Sequence, residues 1–261
     1  MNRISQLFNQ KKTSVLSIFF TAGYPGLHST VDIAEALEKA GADFLEIGIP
    51  YSDPLADGPV IQNSSQKAIA NGMTVKLLFE QLKDLRKRVS VPVLLMGYVN
   101  PVLQYGVERF CASCAEVGVD GVIVPDLPMY EYEEMYRTCF EKNHVSNIFL
   151  ITPHTSEERI KKIDELSNGF IYLLSSSSTT GKSLSVSATT EDYFARIKNM
   201  NLQNPTMIGF GISDHTSFSK ASEYANGAIV GSAFVRLLDS ENYMEKIPEF
   251  VKGIKGEISV S

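Results

Sequence analysis

Glu46 stands in the middle of an apolar run, Asp43-Phe44-Leu45-Glu46-Ile47-Gly48-Ile49, that reads as a buried strand. A carboxylate buried without a partner is costly, so the group takes a raised pKa instead. A carboxyl poised near neutral pH can both give and take a proton. The run leads into a loop dense in turn residues, Pro50-Tyr51-Ser52-Asp53-Pro54-Leu55-Ala56-Asp57-Gly58, which carries two further acids, Asp53 and Asp57. One acid on a strand with others on the loop that follows is an arrangement suited to general acid–base catalysis. The same three acids are oxygen donors of the kind Mg²⁺ uses. Two of them lie among backbone turns, however, and no further carboxylate follows at ligand spacing, so no metal is expected.

Other reactive residue types offer less. His28, His144, His154 and His215 lie far from Glu46 in sequence and lack metal-ligand spacing, which points to surface or capping roles. Cys111 and Cys114 form a C-x-x-C, but no second pair follows and the dipeptide steps fit an amphipathic helix from about Gln104 to Val117. Packing on that helix is the expectation. No Ser or Cys has a base placed to make it a nucleophile. Two glycine-bearing segments, Gly209-Phe210-Gly211-Ile212-Ser213 and Gly231-Ser232-Ala233, read as an anion site, because glycine lets backbone N–H groups approach a ligand. They are not a dinucleotide fingerprint, since no third glycine follows at the required step.

These residues need a scaffold, and the sequence supplies a regular one. Strand-like runs recur at Val15–Thr21, Asp43–Ile49, Pro92–Met96, Gly121–Val124, Asn147–Ile151, Phe170–Leu174, Thr206–Phe210 and Ala228–Val230. Between them lie segments with apolar spacing near 3.6, such as Leu77-Leu78-Leu82-Leu85. Eight alternating units predict an α/β fold, a (β/α)8 barrel formed by residues 1–261 as one domain. The runs are nearly continuous in apolar residues, as strands covered on both faces must be. Residues 2–12 read as an extra amphipathic helix ahead of the first strand. The long gap after the second strand has room for an added helix near Ile61–Ala70 before a main one at Thr74–Val89. Ser175–Ser178 reads as a mobile loop after the sixth strand. Active sites of such barrels lie at the C-terminal ends of the strands. Glu46, Asp57, Asn100, Asp126, Gly211 and Gly231 all fall there.

Composition narrows the functional classes. The 261 residues carry a formal net charge of −6 and no basic tract, which argues against nucleic-acid binding. An anionic substrate therefore needs local help, and backbone amides can provide it. No apolar run approaches membrane-spanning length, and the first residues lack a signal-peptide core. Three cysteines, an odd and sparse count, fit a reducing compartment, so a cytoplasmic protein is expected.

The stretch Leu45–Gly58 resembles the signature of the tryptophan synthase α subunit family. So, in order and spacing, do Phe19-Phe20-Thr21-Ala22-Gly23-Tyr24-Pro25, Met96-Gly97-Tyr98-Val99-Asn100-Pro101, Pro125-Asp126-Leu127-Pro128, Gly209–Ser213 and Val230-Gly231-Ser232-Ala233. The resemblance spans essentially the whole chain. It implies cleavage of indole-3-glycerol phosphate to indole and glyceraldehyde 3-phosphate, a cofactor-free retro-aldol lyase reaction of tryptophan biosynthesis. Carried over position by position, it makes Glu46 the donor of a proton to the indole C3 and Asp57 the acceptor of the indole N–H. It places Phe19, Leu94 and Tyr172 near the indole, and Gly181, Gly211, Gly231 and Ser232 around the phosphate. It further implies a β subunit that carries pyridoxal phosphate, joined in an α2β2-type hetero-oligomer with indole passing through a tunnel. Asp53, Pro54, Asn100, Pro101 and Pro128 match the face that meets it. One departure stands out: Ser178 replaces the first glycine of the family's loop after the sixth strand, which bears on loop closure rather than on the reaction. A stand-alone lyase that releases free indole is the second enzymatic reading. A non-catalytic barrel that only activates a β partner is a third, and the intact acids and glycine loops speak against it.

Overall fold

The computed structural model describes residues 3–174, 188–209 and 211–256. Eight parallel strands close on themselves in chain order: Val15–Thr21 (β1), Phe44–Gly48 (β2), Val93–Met96 (β3), Gly121–Ile123 (β4), Ser146–Ile151 (β5), Ile171–Leu174 (β6), Thr206–Gly209 (β7) and Gly227–Val230 (β8). All eight anticipated strands are present, with ends that differ by a residue or two. The seam between β1 and β8 is parallel, with Val15 opposite Gly227 and Ile18 opposite Val230.

Register decides which side chains meet inside. Phe19 lies opposite Glu46, and Glu46 opposite Leu94. Paired residues of neighbouring strands share a face, and faces alternate along each strand. Ser17, Phe19 and Thr21 of β1 therefore point the same way as Glu46. Nearly every strand position is buried, because side chains fill the barrel and helices cover its outside.

The N-terminal end of the barrel is sealed. The helix Arg3–Gln10 buries Ile4 and Phe8, and the Phe8 ring lies 6.2 Å from that of Phe170. Beneath it Asp120 is buried but fully engaged: Arg86 lies 2.6 Å away, Arg3 3.0 Å away, and the Val93 N–H donates to it at 2.9 Å. Asp120 thus has two guanidinium partners and a backbone donor. Nothing of the kind surrounds Glu46.

The added helix anticipated near Ile61–Ala70 is present as Pro59–Ala70, with Pro59 at its first turn. Three other helical stretches depart from the sequence pattern. The expected helix Thr74–Val89 is two, Val75–Leu82 and Leu85–Arg88; the turn at Lys83–Asp84 lets Leu82 and Leu85 both face the core. The amphipathic stretch Gln104–Val117 is interrupted at Gly106, whose φ of +92° is left to glycine and ends one helix before Val107–Val117 begins. After β4 the chain makes a wide π-helical turn at Tyr132–Tyr136, which no feature of the sequence signals. Cys111 and Cys114 are buried, free thiols on Val107–Val117, and no three metal-binding side chains converge among the described residues. No helix among those residues is long and apolar enough to cross a membrane.

Candidate active site

Glu46 is completely buried at the centre of β2. Its Oε1 accepts a hydrogen bond from the Ser17 hydroxyl at 2.8 Å, and Oε2 has no partner among the described residues. Burial without a cation pushes its pKa up to about 8, and the Ser17 bond only partly opposes the rise. The carboxyl therefore keeps a proton at neutral pH.

Asp57 approaches from the loop after β2. The loop is folded by its own backbone, with the Asp57 N–H donating to Pro54 O at 3.0 Å and the Leu55 N–H to Asp53 O at 2.9 Å. Gln62 of the added helix donates to the Asp57 carbonyl at 2.8 Å, which ties the loop end to that helix. The Tyr98 hydroxyl donates to Asp57 Oδ2 at 3.2 Å and accepts from the Ala56 N–H at 3.0 Å. Withdrawal from water raises the Asp57 pKa to about 6, against the lowering effect of the Tyr98 bond.

Tyr172 of β6 reaches both acids electrically. Burial first, then the charges of Glu46 and of Asp57, hold its phenol well above the usual range, so it is a neutral hydroxyl. The neighbouring strand makes room for it at Gly209, where a Cβ would fall 2.0 Å from the Tyr172 Oη. Phe19 and Asp57 line a narrow cleft together with Thr21, Ile49, Tyr98 and Pro125. Leu94 is fully buried beside Glu46 in register.

The proposed anion loops are placed at the same end of the barrel. Gly211 follows β7 with φ +79°. Gly231 follows β8 and precedes the helix Ser232–Leu237, whose first turn has no side-chain cap. Gly181 and Ser178, like the rest of Ser175–Gly181, lie outside the described residues. Of the residues matched to a partner face, Asp53, Asn100 and Pro128 are exposed, Pro101 is half-buried, and Pro54 is buried within its own loop. Leu55 between them is 85% exposed.

Two residues that touch the acids escaped the sequence reading. Ser17 is the one polar side chain in Val15–Phe20, but only the β1–β2 register shows that it faces Glu46. Tyr98 lay in a segment already singled out, and its bond to Asp57 spans 41 positions of sequence.

The molecule is a (β/α)8 barrel whose strand ends gather one protonated and one readily ionised carboxyl beside a neutral phenol, a set of groups able to do acid–base chemistry. Comparison narrows the class. The sequence model of the tryptophan synthase alpha chain family matches residues 5–255. The tryptophan synthase alpha chain of Flavobacterium psychrophilum is 56% identical over 97% of this chain and 100% of its own length. That of Phocaeicola vulgatus is 56% identical over 93% of this chain and 94% of its own. Among solved structures, tryptophan synthase subunit alpha of Legionella pneumophila has a TM-score of 0.87 at 32% identity, covering 98% of each chain. A mutant alpha-subunit of Pyrococcus furiosus has a TM-score of 0.85 at 35% identity, over 94% of this chain and 99% of that one. The chain belongs to the tryptophan synthase α chain family.

Proposed function

We propose that Glu46 and Asp57 divide the acid–base work of the family's reaction, the cleavage of indole-3-glycerol phosphate to indole and glyceraldehyde 3-phosphate in tryptophan biosynthesis. The observation that carries this reading is the separation of the two carboxyls: about 8 for Glu46 and about 6 for Asp57. At pH 7 one is an acid and the other an anion, the pairing that divided proton transfer needs.

Glu46 gives its proton to the indole C3, and the ring becomes an indoleninium cation. Ionised Asp57 accepts the indole N–H and stabilises that cation. Loss of the proton from the adjacent side-chain hydroxyl then forms the aldehyde carbonyl. The electron pair of the breaking carbon–carbon bond returns to the ring and restores indole. Glu46, now ionised, is a base within the same site for that second transfer. Phe19 and Leu94 give the indole an apolar seat, and Tyr172 stands beside both acids as a neutral hydroxyl. The backbone at Gly181, Gly211 and Gly231–Ser232 holds the phosphate, the local help an anion needs in a protein of net charge −6. The single barrel brings no cofactor of its own; pyridoxal phosphate belongs to a β subunit docked on the face that includes Asp53, Pro54, Asn100, Pro101 and Pro128. The segments after the adjacent strands β2, β3 and β4 support this face, since each exposes a large apolar side chain: Leu55 at 85%, Leu103 at 47% and Tyr130 at 65%.

The test is indole release by Glu46→Gln and Asp57→Asn. Glu46→Gln keeps size but has no proton to donate, so turnover falls by about 10²-fold or more. Asp57→Asn lowers kcat more than it raises KM, because the charge matters most when the cation forms. A folded Glu46→Gln enzyme with more than about a tenth of parental turnover contradicts the assignment.

A further inference from the structure

We propose that Ser17 is a positioning residue for Glu46 that fixes which carboxyl oxygen carries the transferable proton. The inference rests on the reading of Glu46 as the acid and goes beyond it to a residue of a different strand.

Ser17 breaks an otherwise apolar strand interior, Val15-Leu16-Ser17-Ile18-Phe19-Phe20, and is completely buried there. A buried hydroxyl is unfavourable unless it finds a hydrogen-bond partner. Ser17 finds Glu46 Oε1 at 2.8 Å. The two residues sit on one face of the sheet, since Ser17 pairs with Phe44 and Phe19 with Glu46, so the bond runs diagonally between β1 and β2.

That geometry sorts the two carboxyl oxygens. A protonated carboxyl has one oxygen that only accepts and one that carries hydrogen. With the Ser17 hydroxyl donating to Oε1, Oε1 is the carbonyl oxygen and the proton sits on Oε2. The reverse arrangement, Oε1–H donating to Ser17, leaves the Ser17 hydrogen without an acceptor in an apolar layer and strands one more buried group. Oε2 has no protein partner among the described residues, so its proton is not committed elsewhere. The other titratable groups facing this layer are Tyr172 from β6 and Asp57 from the loop after β2. Phe19 and Leu94 flank Glu46 in register and offer no polar atom. Ser17 thus supplies the directional contact on the carboxyl, and the same bond favours the ionised form against burial.

The experiment compares Ser17→Ala and Ser17→Thr with the parent in two readouts: the pH profile of kcat for indole release, and titration of the ¹³C-labelled Glu46 carboxyl without substrate. Removing the hydroxyl weakens the charged form, so in Ser17→Ala the Glu46 titration and the alkaline limb of kcat both move up by about half to one pH unit. The kcat plateau falls about tenfold, because the proton is no longer confined to one oxygen, while KM stays within about twofold. Ser17→Thr keeps the hydroxyl and returns the limb to the parental position. Alanine only deletes an oxygen and cannot overpack the layer. If threonine does not fold, the alanine titration decides alone. An unmoved titration and limb in Ser17→Ala, or a plateau no lower than the parent's, overturns the proposal. Glu46→Gln run alongside separates the two ideas: an inactive Glu46→Gln with an unmoved Ser17→Ala removes Ser17 from the mechanism and leaves Glu46 in it, whereas an active Glu46→Gln removes the acid itself.

Discussion

At pH 7 a carboxyl with a pKa of about 8 keeps its proton and one of about 6 has lost it, so Glu46 and Asp57 stand in opposite states, as the proposed division of acid–base work requires. The difference is environmental: Glu46 is completely buried, whereas Asp57 is only partly buried, on a loop with a tyrosine hydroxyl to help it. The kcat profile is therefore expected to be a bell with limbs near 6 and 8. The profile should be read from kcat rather than kcat/KM, because the substrate's phosphate itself titrates near 6. Asp57→Asn is expected to erase the acid limb and leave the alkaline one. The same burial makes a claim about stability. Glu46 is neutral in the fold up to about 8 but ionises in the unfolded chain above 4.5. Its contribution is thus intact below about 4.5 and is lost as pH rises from there towards 8. Glu46→Gln escapes that loss. Calorimetry should find its Tm close to the parent's near pH 4 and several degrees higher at pH 8. A difference that does not grow with pH would mean that Glu46 is not held neutral.

Among the elements, β6 and β7 show how tightly strands and site are joined. Gly209 leaves the space that the Tyr172 hydroxyl fills, and Tyr172 is buried with nowhere to retreat. Gly209→Ala is expected to cost roughly 1–3 kcal/mol by overpacking and to lower indole release by displacing Tyr172. Denaturant unfolding and turnover measured together test it, and an alanine variant with parental values in both would show that the strands can part. The strands themselves were legible in sequence, since a parallel strand covered on both faces is apolar over most of its length, and the runs of β1 to β8 are. Glu46 and Asp57 were legible for the converse reason, as charges where apolar or turn residues prevail. What stayed hidden was whatever depends on register or on a local turn. Ser17 looks like a minor irregularity until β1 is set beside β2. The break at Lys83–Asp84 has no glycine or proline to announce it, and the π-helical turn at Tyr132–Tyr136 reads locally as ordinary helix.

The molecule as a whole is a barrel with two different ends. At one, Arg3 and Arg86 close on Asp120 beneath a helix; at the other lie the acids, the glycine loops and the exposed apolar side chains. Leu55 is the most exposed of these, so Leu55→Asp is expected to leave the Tm of the isolated chain unchanged. Its affinity for a β subunit should fall by at least about tenfold, read by calorimetry. Equal affinity would move the docking face elsewhere.

Closure of the barrel has a consequence for how the chain is made. β1 finds one neighbour in β2 soon after both emerge, but its other edge pairs only with Gly227–Val230. At ordinary rates of translation those late residues leave the ribosome roughly 10–40 s after Val15. For that interval the nascent chain carries an apolar strand with a free row of N–H and C=O groups, the feature that invites pairing between chains. A chain stopped short of Gly227 never covers it. Truncated products are thus expected to be aggregation-prone even where seven of the eight strands have been synthesised.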